Sequence, residues 1–156
     1  MTDRTQSVDL GILLALAYQS FVAQLREVHA AAGFDDLGRS DGFVFRALAT
    51  APLTVSDLAT RLGISKQGAG QIVDDMQRRG YVERRPDPAD GRARLLYLSA
   101  RGQAALAAAR RFHHRYEQRL VRTHGPAAVD ALRQLLEAMA GGAEQTIDPR
   151  LRVLHL

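Results

Sequence analysis

The apolar patterning predicts a mainly α-helical chain in which four helices, one β-hairpin and two further helices follow one another. Three observations carry this. Apolar residues recur at three- and four-residue spacing over most of the 156-residue chain. Hydroxyl residues stand where most of these segments start, and glycines stand where they end. Between Tyr81 and Leu98 the pattern changes to two short strand-like runs around a turn rich in proline, glycine and arginine.

Taken in order, a first helix from about Val8 to Ala32 presents Leu14, Tyr18, Phe21, Val22, Leu25 and Val28 on one face, and Gly33 ends it. A second helix, capped by Ser40, carries Phe43, Val44, Ala47 and Leu48 until Pro52 stops it. Thr54-Val55-Ser56-Asp57 has the spacing of a capping box, with Asp in the place more often held by Glu, and opens a short helix that ends at Leu62-Gly63. Ser65 caps the next, which turns Ala69, Ile72, Val73 and Met76 inward and runs to about Arg79, where Gly80 supplies a left-handed terminus. Strands are predicted over Tyr81–Arg85 and Arg94–Leu98, joined by an exposed turn. Ser99 caps a long helix with Ala105, Leu106, Ala109, Phe112, Tyr116 and Leu120 in a stripe until Gly125-Pro126. The last helix carries Val129, Leu132, Leu135, Leu136 and Met139 until Gly141-Gly142.

Composition bounds the function. The length suits one compact domain with a core of its own, and 46% apolar with 24% charged residues is ordinary for a globular protein, which excludes wholesale disorder. A formal charge of +4 suits a polyanionic partner. The absence of cysteine excludes disulfides, a thiolate nucleophile and a peroxide-sensing thiol, and it fits a cytoplasmic protein. The apolar run Leu10 to Tyr18 is far short of the roughly 18 residues of a membrane span. Asp3 and Asp9 spoil the basic leader that a cleavage site at Ala15-Leu16-Ala17 would need, so no membrane partner is expected.

The third and fourth helices carry the features of a helix-turn-helix: Ala59 small enough for a close crossing, Gly63 free to take a positive φ at the turn, and Leu58, Leu62, Ile64, Ala69 and Ile72 bracketing both helices. With a strand, a basic turn and a second strand behind it, the order becomes that of a winged helix-turn-helix. The start of its second helix offers free N–H groups and a positive dipole end, which places Ser65, Lys66 and Gln67 to meet phosphate and base edges. Gln71 lies one turn further along, where its amide suits an adenine edge, and Gly68 and Gly70 allow close approach to the groove. Thr54 joins this set at the preceding cap. At the wing, Arg92 suits a narrow minor groove, Arg94, Arg84 and Arg85 support it, and Asp90 either orients an arginine or simply makes an Asp-Gly turn.

Four segments, Ser65-Lys66-Gln67-Gly68-Ala69-Gly70-Gln71, Arg79-Gly80-Tyr81-Val82-Glu83-Arg84, Asp90-Gly91-Arg92-Ala93-Arg94 and Leu98-Ser99-Ala100-Arg101-Gly102, resemble successive signatures of the MarR (multiple-antibiotic-resistance regulator) family. The family's Asp-x-Arg wing motif matches at Asp90 and Arg92. Its Leu-Thr-x-x-Gly segment matches at Leu98 to Gly102, with Ser99 in place of Thr and the hydroxyl cap kept. The resemblance implies one MarR-like chain over residues 1–156, with a DNA-binding winged lobe at 36–100 and a helical dimerisation region formed by both termini at 8–33 and 101–143. It also implies a homodimeric bacterial transcription repressor that binds double-stranded DNA at a pseudo-palindromic operator and is released by a small aromatic or phenolic effector. The effector would lodge near Tyr18, Phe43, Arg46 and His113.

Two other readings compete: a ligand-binding or interaction module that kept the fold without DNA binding, and a metal-responsive regulator using His29, His113 and Glu117. Solvated histidines are the commoner case, and neither metal nor cofactor is expected. No catalysis is expected either, because Ser65 follows Gly63 as in a nucleophile elbow but Gln67 occupies the second glycine position.

Overall fold

The computed structural model describes residues 8–141. It contains α1 (Leu10–Ala31), α2 (Asp41–Thr50), α3 (Val55–Leu62), α4 (Lys66–Arg78), β1 (Val82–Pro86), β2 (Arg94–Leu98), α5 (Ala100–His124) and α6 (Pro126–Met139). This is the expected order. Gly142 and Ala143, the end of the expected second dimerisation segment, lie outside the described residues.

Helix ends follow local chemistry. Thr54 and Asp57 complete the capping box, each side chain accepting the other's backbone N–H, and Gly63 closes α3 at φ +61°. The α4 terminus uses Gly80 at φ +79° and two crossing bonds, Gly80 N–H to the Gln77 carbonyl and Tyr81 N–H to the Met76 carbonyl. Because that second bond consumes the Tyr81 amide, the ladder starts at Val82, one residue later than the alternation suggests. Ser40 makes no side-chain cap; the Asp41 carboxylate takes the nearby Gly38 N–H at 2.8 Å instead.

The strands pair antiparallel with Val82 opposite Leu98 and Pro86 opposite Arg94. Leu53 adds one rung beyond β2 through Leu96 N–H to its carbonyl at 2.8 Å, a pairing too short to leave an alternating pattern. The core of the winged lobe gathers Val44 and Phe45 from α2, Leu58 and Leu62 from α3, Val73 and Met76 from α4, and Tyr81, Val82 and Leu96 from the wing. On α5, Ala105 closes it.

α1 reaches this lobe through α5. Phe21 meets the rings of Phe112 at 5.2 Å and Tyr116 at 5.0 Å. α1 buries no residue fully and α6 buries only Val129. Among the described residues, the large apolar side chains left exposed are Val8 just before α1, Leu10, Ile12, Leu13, Leu16 and Tyr18 on α1, and Leu132, Leu135, Leu136 and Met139 on α6.

α5 starts against the end of α4. Ser99 donates its hydroxyl hydrogen to the Gly80 carbonyl and accepts the Gly102 N–H at 3.0 Å. Gly102 lies so close to the Tyr81 carbonyl oxygen that a methyl group there would overlap it. Gly102→Ala must therefore push backbone against backbone. It is expected to destabilise the chain by about 1–3 kcal/mol, read as a lower midpoint in denaturant unfolding.

Candidate nucleic-acid interface

α4 is the element best placed to be read against a groove. Ser65 Oγ accepts the Gly68 N–H at 3.0 Å, which caps the helix while leaving Lys66 and Gln67 exposed. At 3.6 residues per turn, the buried stripe of Ala69, Val73 and Met76 puts Gln67, Gln71, Asp74 and Arg78 on the opposite, solvent-facing side. Gly68 sits under its cap, where a Cβ would come 3.2 Å from Ser65 Oγ. Gly70 has nothing within 4 Å of that position, so packing does not require glycine there.

The far end of α4 is clasped. Arg79 donates from Nη1 to Asp41 Oδ2 at 2.6 Å and to the Asp36 carbonyl at 2.7 Å, and from Nη2 to Asp75 Oδ2 at 2.6 Å. Asp41 is only 3% exposed, so its charge depends on this partner. The Asp41 hydrogen bond in turn holds the Arg79 pKa above its usual value. Beside it, the Tyr81 hydroxyl donates to Asp36, and Arg101 donates at 3.1 Å to both Asp36 Oδ1 and the Tyr81 oxygen. Burial, reinforced by the hydrogen bond to Asp36, pushes the Tyr81 phenol up to about 12. The same bond is the leading cause of the lowered Asp36 pKa. Asp36, Asp41 and Arg101 carry no local pattern that marks them, because the carboxylates of Asp41 and Asp36 lie 38 and 65 residues from the guanidiniums of Arg79 and Arg101 that they hold.

The wing separates its arginines into two kinds. Arg84 bonds Asp74 Oδ1 and Gln77 Oε1, both at 2.6 Å, so it leans onto α4. Arg85 pairs with Glu83 at 2.8 Å and covers the Tyr97 ring. Arg92 and Arg94 are exposed, and neither guanidinium makes a hydrogen bond or ion pair among the described residues. Asp90 Oδ1 accepts the Arg92 backbone N–H at 3.0 Å, so it shapes the turn under Arg92 without holding its guanidinium. Thr54 is partly buried, with its hydroxyl shared with Asp57.

Of the four residues expected near an effector, Tyr18 stacks on Phe21 at 6.5 Å and His113 lies 5.2 Å from the same ring. Partial burial and the Arg46 guanidinium hold His113 below the ordinary imidazole range, which puts Arg46 in the same neighbourhood. Phe43 packs against the core of the winged lobe. Two open grooves, of about 340 and 440 Å³, are lined by other residues, among them Val28, Phe112 and Arg115 in one and Pro52, Tyr97 and Arg110 in the other. Glu117 bonds Arg133 at 2.6 Å, and no group of three metal donors forms among the described residues.

A model of the MarR family matches residues 35–93, from the loop before α2 to the end of the wing turn. Over those residues the chain is similar to the MarR family. Among the relatives is the HTH-type transcriptional regulator PetP of Rhodobacter capsulatus, 35% identical over 103 residues, a match covering 64% of this chain and 56% of PetP. Among solved structures, the transcriptional repressor CouR bound to a 23-mer DNA duplex is 27% identical with a TM-score of 0.63, covering 90% of this chain and 98% of CouR. Streptococcus pneumoniae FabT in complex with DNA, 17% identical, shares the fold at a TM-score of 0.70 over 84% of this chain and 92% of its own.

The clasp can be broken selectively. Arg79→Met keeps the length and apolar stem of the side chain but leaves Asp41 buried and unpaired, which is expected to cost about 3–5 kcal/mol. Asp41→Asn in the same background should return part of that loss. Urea unfolding of the single and double variants checks both signs.

Proposed function

We propose that the chain binds double-stranded DNA as a homodimer and represses transcription by occupying a pseudo-palindromic promoter site. The observation that carries this is the set of side chains left unpaired on α4 and on the wing. Arg92 and Arg94 are exposed on the wing and make no hydrogen bond or ion pair among the described residues, while Gln67 and Gln71 face outward from α4, to which Arg84 ties the wing. Free cations on the wing and amides on the exposed face of a capped helix suit phosphate and base edges respectively. The relative CouR, whose structure holds DNA, supports the same reading.

Dimerisation rests on α1 and α6. α1 has two apolar faces, Leu14, Phe21, Val22 and Leu25 toward α5 and Ile12, Leu13 and Leu16 on the other side, about half exposed in the single chain. A helix apolar all round needs cover on both sides. A second copy supplies it when residues 8–33 and 101–143 act as the dimerisation lobe around the winged lobe at 36–100. Two α4 helices then enter successive major grooves, with half-sites roughly 10 base pairs apart between centres. A small aromatic or phenolic effector that released the DNA would sit near Tyr18, Arg46 and His113, with Phe43 at the margin. Such a regulator works in the cytoplasm, and no helix among the described residues is long and apolar enough to cross a membrane.

Selection of bound duplexes from a random pool by the purified chain, followed by salt titrations on the selected site, tests the proposal. Arg92→Ala should weaken binding by about 1–3 kcal/mol and lower the salt slope by about one unit, with thermal stability unchanged. Gly70→Ala should move the two properties in opposite directions: folding strengthens by about 0.5–1 kcal/mol, since a helix interior prefers alanine, while DNA affinity falls. Wild-type affinity in both variants would remove α4 and the wing from DNA recognition.

A further inference from the structure

The outward face of α4 contains one acidic residue that a DNA-binding surface would be expected to avoid. Asp74 lies between Gln71 and Arg78 on that face, with 62% of its side chain exposed. Duplex DNA carries a negative charge about every 1.7 Å, so a bare carboxylate there opposes binding to any sequence. Asp75, its neighbour, is fully engaged, with Oδ1 on Arg78 and Oδ2 on Arg79. Asp74 is engaged on one side only. Arg84 reaches across from β1 to Oδ1 at 2.6 Å, and Oδ2 accepts no hydrogen bond among the described residues. The guanidinium is also tied to Gln77, and the Arg84 side chain is 29% exposed, against 75% for that of Arg78, so it is held down beside the helix.

We infer that Asp74 is a specificity-determining residue whose free oxygen accepts the exocyclic amino group of cytosine in the major groove, with Arg84 cancelling its repulsion from phosphate. The inference rests on the DNA-binding reading above and goes beyond it by assigning a base to a residue. An ionised carboxylate only accepts hydrogen bonds. In the major groove the donors are cytosine N4 and adenine N6, and adenine sets its N7 acceptor beside N6, where it would repel the carboxylate; cytosine offers its amino group without that neighbour. Pairing with Arg84 removes most of the long-range charge but leaves the local acceptor in place. Every site that lacks the amino group then meets an unsatisfied carboxylate, and discrimination arises from that cost as much as from the contact.

The test uses the full chain and duplex selection, repeated for wild type, Asp74→Asn, Arg84→Ala and the double variant. Each protein is then titrated on the selected site, its single-base variants and a scrambled duplex at several salt concentrations, with thermal melts alongside. Asp74→Asn should bind the scrambled duplex more tightly and lose preference at one C·G position per half-site, so that discrimination there falls about tenfold. Arg84→Ala should weaken binding to all duplexes, and adding Asp74→Asn to it should recover affinity for the scrambled one. Wild-type discrimination in Asp74→Asn, lost preference only at an A·T position, or a lowered melting temperature with unchanged base preference would each overturn the inference. Failure of the wild type to select any duplex would instead overturn the DNA-binding proposal, and this inference with it.

Discussion

The rest of the structure depends on the Arg79 clasp. One guanidinium joins the last turn of α4 to the first residue of α2 and to the loop after α1. Its partner Asp41 is almost fully buried, and a buried carboxylate without a cation is far more costly than the pair is favourable. The clasp is therefore less a source of net stability than a constraint on geometry: arrangements in which α4 tilts away from α2 leave Asp41 unpaired. Tyr81, Asp36 and Arg101 extend the constraint to the start of α5, so the residues that end α4 also seat the long helix.

With its C-terminal end held from behind, α4 is free to present its N-terminal half outward. Ser65 satisfies one of the amides there without covering the side chains that follow. The wing is fastened to the same helix by Arg84, while Arg92 and Arg94 are left without partners. Arginines that maintain the shape are thus distinct from those that remain available, and a count of basic residues would not reveal the division. Exposed pairs such as Arg85 with Glu83 add little stability by themselves. Their effect is to remove cations from the set open to a polyanion.

Much of the fold was legible because its punctuation is local. A capping box needs only Thr54 and Asp57, a left-handed terminus needs only Gly63 or Gly80, and the proline- and glycine-rich turn marks the hairpin. Where the reading missed, a competing local bond or a distant partner decided the outcome. The Tyr81 amide went to the α4 terminus and delayed β1, the Asp41 carboxylate took the amide near the expected Ser40 cap, and the single rung at Leu53 is too short to show a period. The outward face of α4 and the exposed wing turn were legible through spacing and motif. Asp74 was not, because its meaning comes from an arginine ten residues away on another element. The exposed apolar faces of α1 and α6 were visible as stripes, but a stripe alone does not say whether the chain covers it itself or needs a second copy.

The central claim is that α4 and the wing tip together form the surface that meets DNA, held in position by the clasp behind them. Amide hydrogen exchange of the full chain, with and without its selected duplex, tests this most directly, because it reports every segment in one experiment. The account predicts added protection over residues 65–74 and around the wing turn at 87–94, with little change in α6. Protection confined to α1 and α5, with α4 and the wing exchanging as in the free protein, would contradict it.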